Sequence, residues 1–256
     1  MKKLVYLLLV ILPATGFAQT LSDCDLLYSK RGLDLIPAQD CYQNLYTQNK
    51  ISNADFFERS FTTLSTAITF FEKKTEERMI LEKAFVILDT VKNAYGENSY
   101  YNYWKAVWVS FDALEKDRGK MIPTYLFSQI GTIQSLLKFA AQNDAEIDFY
   151  GPHRVLGILH TQMPKIAGGD KKYAELLLKR SYEAHPDYHS HPYVYANILY
   201  INGKTDEAKT ILTLFLDTPN EKYESFANEP LRSFNLEIQK EKDKAQELLN
   251  IIIDEE

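Results

Sequence analysis

The sequence predicts an all-α fold in which helical hairpins stack into one compact superhelical domain, closed by a C-terminal capping helix. Three observations lead to this fold class. Small and large apolar residues repeat in the C-terminal part at the spacing of paired helices. Apolar residues elsewhere recur at steps of three and four, and no alternating strand pattern of useful length occurs.

The C-terminal pattern is a tetratricopeptide-like repeat, a helix-turn-helix unit of about 34 residues. Small residues are needed where two helices cross, and larger apolar residues fill the space between them. The matching positions are Ala196, Leu199, Gly203, Ala208, Leu212, Phe215 and Pro219, preceded by Ala174, Leu178, Ser181 and Pro186. Stacked units of this kind build a concave surface, which favours binding or scaffolding over catalysis.

The first 18 residues have the pattern of a secretory signal peptide. Lys2 and Lys3 precede the apolar run Leu4–Leu12, and a small-x-small cleavage site ends at Ala18. The run is about half of the roughly 20 residues that a membrane-spanning helix needs. We therefore expect an exported, periplasmic protein that begins at Gln19.

The mature chain, residues 19–256, is expected to form a single helical domain. The full chain has a formal net charge of −6, and removal of the two leader lysines makes it more negative by two. An acidic chain without a basic stripe disfavours nucleic acid and anionic lipid as partners.

The two cysteines, Cys24 and Cys41, lie on the expected arms of one helical hairpin, residues 22–31 and 38–46. In an exported protein such a pair usually forms a disulfide. The alternative is a lipid anchor through Cys24, because residues 21–24 half resemble the motif in which a cysteine is lipidated.

The rest of the mature chain also has helical periodicity. Four of the expected helices span residues 53–73, 99–115, 122–142 and 231–253. Another helix lies between the first two of these; it is opened by Thr75-Glu76-Glu77 and ended by Gly96-Glu97-Asn98. The polar middle of the last helix suits a solvated cap on the open end of a stack. The acidic residues in 72–77 and 237–247 are expected on solvent-facing surfaces.

A set of short motifs resembles the T-component (TatT-like) proteins associated with TRAP transporters. The motifs are Tyr100-Tyr101-Asn102-Tyr103-Trp104, Tyr150-Gly151-Pro152-His153-Arg154-Val155-Leu156-Gly157, Met163-Pro164, Gly168-Gly169-Asp170 and Ala184-His185-Pro186-Asp187-Tyr188. The resemblance implies an exported helical accessory that works beside a TRAP solute-binding protein. It also implies an oligomer, often a ring-like homotrimer, that handles an apolar or weakly polar solute.

An aromatic stripe at helical spacing contains both tryptophans of the chain. It consists of Tyr100, Trp104, Trp108 and Phe111. Such a stripe belongs either to the core or to the wall of a groove that receives an apolar solute. The transporter interpretation places the solute cavity near Trp104, Trp108, Arg154 and His160.

Arg154 lies in the first turn of a helix opened by Pro152, where the helix dipole disfavours a cation by about 0.3–1 kcal/mol. A structural ion pair with Asp148 or Asp170 offsets this cost, or else a ligand or partner carboxylate does. We expect Arg154 to face the loop containing Gly168 and Gly169. These glycines provide either positive φ for the turn into the Asp170 cap or an anion-binding nest.

All five histidines fall in one window: His153, His160, His185, His189 and His191. They are either surface and cleft-lining residues or ligands of a metal ion, but their spacing does not favour a metal site. No sequence motif indicates an enzyme or a cofactor. Two functions therefore remain: a periplasmic TRAP accessory that handles a solute, and a tetratricopeptide-type protein–protein scaffold in the cell envelope.

Overall fold

The computed structural model describes residues 20–29, 35–70, 74–120, 124–223 and 235–255. Within these ranges the protein is all-α, with eleven helices and no strand. The helices are α1 (Leu21–Ser29), α2 (Leu35–Thr47), α3 (Asn53–Phe70), α4 (Lys74–Tyr95), α5 (Ser99–Asp117), α6 (Thr124–Asn143), α7 (Gly151–Gln162), α8 (Lys171–Ala184), α9 (His191–Ile201), α10 (Thr205–Asp217) and α11 (Asn235–Asp254). The predicted signal peptide, residues 1–18, lies outside the described residues.

The helices stack as hairpins in chain order. Each of them packs against its neighbours along the chain, from α1 on α2 to α10 on α11, and α11 also packs on α9. This arrangement confirms the predicted fold class, including the helix that covers the C-terminal end of the stack.

The core consists of two apolar clusters that meet at the hairpin α7–α8. Leu156 of α7 and Leu177 of α8 belong to the cluster built by the N-terminal helices. Ala174 and Leu178, on the other side of α8, belong to the cluster built with α9, α10 and α11. The prediction of one domain stays a prediction, although one helix serves both clusters.

Of the eleven repeat positions predicted from the sequence, Pro186, Gly203 and Pro219 are exposed between helices, whereas the other eight are buried. Gly157 shows why small residues are needed there, because a Cβ on it would lie 2.7 Å from Leu178 Cγ on the neighbouring helix. Gly203 turns the chain between α9 and α10 with φ +78°. The fully buried repeat residues are Ala174, Leu178, Ser181, Ala196, Leu199, Ala208, Leu212 and Phe215.

Cys24 and Cys41 form a disulfide that joins α1 to α2, as the sequence predicts. A sulfur in a disulfide is not the free thiol that lipidation requires, so this finding argues against a lipid anchor through Cys24. Among the residues described by the structure, no helix combines the length and the apolar character that crossing a bilayer demands.

The expectation that the acidic stretches are fully solvated is wrong for two residues. Glu77 is only 6% exposed and pairs with Arg118. Glu241 has a side chain only 15% exposed and pairs with Lys244 at 2.7 Å. A cation compensates the charge of the buried Glu77 and of the half-buried Glu241.

Candidate functional site

A cleft of about 1110 Å³ lies between the N-terminal helices and the C-terminal helix. Helices α3, α5, α7 and α11 line it, together with the turns before α7 and α9. Its volume suits a small organic ligand, and its aromatic lining is typical of such sites. The aromatic lining residues are Tyr28, Phe57, Tyr95, Tyr100, Tyr103, Trp104, Phe111, Phe149 and Tyr188.

The aromatic stripe of α5 divides between this wall and the core. Tyr100, Trp104 and Phe111 line the cleft. Trp104 is 5% exposed and stacks on Phe61, with ring centroids 4.9 Å apart. Trp108 is fully buried behind it and belongs to the core. The groove-wall interpretation therefore holds for Tyr100, Trp104 and Phe111, and the core interpretation holds for Trp108.

Arg154 lies at the edge of the cleft and is 8% exposed. Its Nη2 donates to Asp148 Oδ2 at 2.6 Å, and its Nη1 donates to the main-chain carbonyls of Asp148 and Phe149 at 3.1 and 3.4 Å. The guanidinium also stacks over the ring of Tyr188, 4.8 Å from its centroid. Burial acts to lower the pKa of Arg154, but Tyr188 and Asp148 outweigh it and raise the pKa, so the group stays charged.

His191 completes the surroundings of the guanidinium. Its Nε2 lies 3.2 Å from Arg154 Nη1, and its Nδ1 lies 2.9 Å from the carbonyl oxygen of His185. Burial and the adjacent Arg154 lower the pKa of His191 to about 2, so the ring is neutral. Because arginine only donates, Nε2 must be the acceptor, and the ring proton on Nδ1 is donated to His185.

Three successive residues before α7 adopt left-handed backbone conformations: Asp148, Phe149 and Tyr150, with φ 50°, 54° and 58°. Each such conformation costs a non-glycine residue about 1–2 kcal/mol. Arg154 binds the first two carbonyls of this turn, and the hydroxyl of Tyr103 donates to the Asp148 carboxylate. Backbone strain of this kind concentrates at functional sites. We call residues 148–150 the left-handed turn.

The expectation that Arg154 faces the Gly168–Gly169 loop is wrong, because its hydrogen bonds go to the turn next to it in sequence. Asp170 is not its partner either, since that side chain caps α8 by accepting from the backbone N–H groups of residues 172 and 173. Gly168 has φ +87°, and a Cβ on Gly169 would lie 2.0 Å from the Met163 carbonyl oxygen. Backbone geometry thus accounts for both glycines.

His160 is buried against Tyr173, with ring centroids 5.2 Å apart. Burial lowers the pKa of His160, which favours the neutral ring. Of the predicted ligand-binding residues, Trp104 and Arg154 line the cleft, whereas Trp108, His160, Gly168 and Gly169 lie outside its lining.

Four of the five histidines lie around the rings of Tyr150 and Tyr188, and His160 lies apart from them. His185 pairs with Glu146 at 3.2 Å, whereas His153 packs on the ring of Tyr150. Within the described ranges, no group of three or more histidine, cysteine, aspartate and glutamate residues is placed to hold a metal ion together.

Sequence reasoning missed the wall that α11 contributes. Lys240, Glu241 and Lys244 line the cleft, although the sequence indicated a solvated stretch. The buried residues Ile238 and Ala245 show which face of α11 packs on the stack. Helical periodicity identifies that face, but it does not reveal that the adjacent polar face meets α5 across the cleft.

A comparison of the chain with protein-family models and with curated proteins finds no match. The resemblance to T-component proteins therefore stays a hypothesis that rests on the motifs themselves. The function has to be argued from the cleft.

Proposed function

We propose that this protein is an exported, periplasmic component of a TRAP-type transport system that binds a small solute with an apolar body. The observation that carries the proposal is the aromatic cleft of about 1110 Å³. Concave sites with apolar walls and a few convergent polar groups are the usual places for small ligands. A tetratricopeptide groove that holds an extended peptide is the alternative.

The left-handed turn supports this choice, because it holds part of the wall in one conformation. Asp148 and Phe149 both line the cleft, and Arg154 binds both of their carbonyls. A wall that is ordered before the ligand arrives reduces the ordering cost of binding. Pre-organisation of this wall is therefore expected to favour binding of a ligand in the cleft.

Export and docking of a TRAP solute-binding protein rest on different observations. The Cys24–Cys41 disulfide is compatible with an oxidising compartment outside the cytoplasm. The TRAP partner and the homotrimer come from the motif resemblance alone. Co-purification with a solute-binding protein of such a transporter and sedimentation of the mature protein test these two points separately.

The first experiment is mass spectrometry of the mature protein purified from its native envelope, run under native and then denaturing conditions. We expect a small molecule that leaves only on denaturation. A protein that carries no small molecule and retains only polypeptides would instead favour the scaffold.

The two tryptophans provide a matched pair of reporters for the position of that molecule. Trp108→Phe leaves Trp104 on the cleft wall as the only tryptophan, and Trp104→Phe leaves the fully buried Trp108. We expect the ligand to change the fluorescence of Trp108→Phe and to leave that of Trp104→Phe nearly unchanged. Equal responses from both variants would contradict binding at this wall.

A further inference from the structure

The charged residues of the cleft are unequal in number. Five carboxylates line it against three cationic side chains. The carboxylates belong to Glu58, Glu146, Asp148, Glu237 and Glu241, and the cations to Arg154, Lys240 and Lys244. A ligand in the cleft therefore meets a negative balance of charge, which disfavours an anion.

The cations of the cleft already have partners. Arg154 is held by the Asp148 carboxylate, by two carbonyls and by His191. Lys244 donates to Glu241 Oε1 at 2.7 Å. Lys240 is also engaged. A ligand carboxylate would have to displace one of these contacts before it could be bound bidentately.

Two carboxylates, in contrast, have acceptor capacity left. Tyr103 and Arg154 both donate to Oδ2 of the Asp148 carboxylate, so Oδ1 can still accept a hydrogen bond. Glu58 is exposed on α3 and makes no hydrogen bond or ion pair with any described residue. Oxygen atoms in this state accept from an ammonium group without breaking an existing bond.

Both carboxylates line the same cleft as Tyr100. The hydroxyl oxygen of Tyr100 is buried and lies on the same wall as Trp104. Burial raises the pKa of Tyr100, and Glu58 and Asp148 raise it further. Aromatic faces beside them add attraction for a positive group.

We propose that the cleft selects an organic cation, with its ammonium group beside Glu58 and Asp148 and its apolar body against Trp104. This inference rests on the proposed function, because it names the charge class of the solute that the cleft receives. The solute proposed here differs from the expected apolar or weakly polar solute only in that one end of it carries a positive charge.

Three probes with the same apolar body and different charge test the selection: phenylbutylamine, phenylbutanol and phenylbutyrate. Their binding to the mature protein at neutral pH is measured by calorimetry and by Trp104 fluorescence in Trp108→Phe. We expect the amine to bind on the order of tenfold tighter than the carboxylate, with the alcohol between them. Added salt should narrow the difference, since screening weakens exposed charge interactions.

Glu58→Gln tests the position of the ammonium group. The variant should weaken amine binding by about threefold to tenfold and leave alcohol binding unchanged. Glu183→Gln is the matched control, because Glu183 is an exposed helical glutamate outside the lining of the cleft. Its amine affinity should equal that of the unaltered protein.

The outcomes separate this inference from the proposed function. If the carboxylate binds as tightly as the amine, or if Glu58→Gln leaves amine affinity unchanged, the cationic selection is wrong while the solute site stands. If none of the three probes binds, the inference is wrong. The solute site itself falls only if the native protein also carries no small molecule.

Discussion

Arg154 binds Asp148 twice, donating to its carboxylate at 2.6 Å and to its main-chain carbonyl at 3.1 Å. The carboxylate compensates the charge of a buried guanidinium near the N-terminus of α7, where the helix dipole disfavours a cation. The carbonyl contact holds the backbone in its left-handed conformation. One side chain thus couples the electrostatics of the site to the shape of the cleft wall.

This double contact predicts a large effect of Arg154→Ala. The variant leaves Asp148 without its ionic partner and the left-handed turn without its donor. We expect the free energy of unfolding to fall by about 2–4 kcal/mol, measured by urea denaturation. Arg154→Lys keeps the charge but loses the forked geometry of the guanidinium. Its unfolding free energy should therefore fall by less than that of Arg154→Ala, but by a measurable amount.

Arg180→Ala is the control for these variants, because Arg180 is an exposed arginine on α8. Its unfolding free energy should stay within about 0.5 kcal/mol of the unaltered protein. If Arg154→Ala proved as mild as this control, the guanidinium would not be what holds the turn.

Replacing two different glycines by alanine should change the stability of the protein in opposite directions. A Cβ on Gly151 would lie 2.5 Å from the Tyr103 hydroxyl oxygen, so Gly151→Ala should push Tyr103 away from Asp148 and cost about 1–3 kcal/mol. Gly131, in the middle of α6, has no atom within 4 Å of a built Cβ. Gly131→Ala should therefore stabilise the protein by about 0.5–1 kcal/mol. Thermal unfolding of both variants checks the pair, and a loss of stability in both would contradict it.

Most of the helical fold could be predicted from the sequence, because each helix carries its core face in its own periodicity. The predicted inner face of α4 is buried along its whole length, at Ile80, Leu81, Ala84, Ile87, Leu88 and Val91. The repeat residues of α8 to α10 behave in the same way. Cys24 and Cys41 could be paired because the chain offers no other cysteine.

The candidate site could be predicted only in part. Trp104 and Arg154 were identified, and Asp148 was one of the two ion-pair partners named for Arg154. The contacts of Arg154 with the carbonyls of residues 148 and 149 were not predicted, because they depend on a left-handed turn of residues that seldom adopt one. Helix α11 reaches the cleft because it packs back on α9 and α10, and short-range periodicity does not contain such tertiary packing. Glu58 was not singled out from the sequence, since only the packing of the helices places it in a cleft with an aromatic wall.

Loss of the Cys24–Cys41 disulfide should destabilise the N-terminal hairpin. The two cysteines are 17 residues apart, and in the chain-entropy model a loop of that size contributes about 3 kcal/mol. The double variant Cys24→Ser/Cys41→Ser should melt several degrees lower than the oxidised protein. The oxidised protein with added reductant should move toward the same value. If the double variant melts at the same temperature as the oxidised protein, the disulfide does not contribute this stability.

The neutral His191 predicts a specific pH dependence of stability. The folded pKa is lowered to about 2 by burial and by Arg154, whereas the unfolded chain has an ordinary value of about 6.5. Below the unfolded pKa, the unfolded state binds a proton that the folded state does not. The contribution of this residue is therefore complete above about pH 6.5 and is lost as the pH falls toward the folded pKa, by up to about 2 kcal/mol between pH 7 and pH 5.

His191→Asn isolates this contribution, because an amide can still donate to the His185 carbonyl but does not titrate. Urea denaturation at pH 7 and pH 5 should give a smaller loss of stability for the variant than for the unaltered protein. Some pH dependence remains, since burial also lowers the pKa of His153 and of His160. The comparison concerns the change between the two pH values, so a uniform loss from the weakened Arg154 contact does not affect it. If the variant lost as much stability as the unaltered protein between pH 7 and pH 5, His191 would not be the neutral acceptor that its contacts with Arg154 and His185 require.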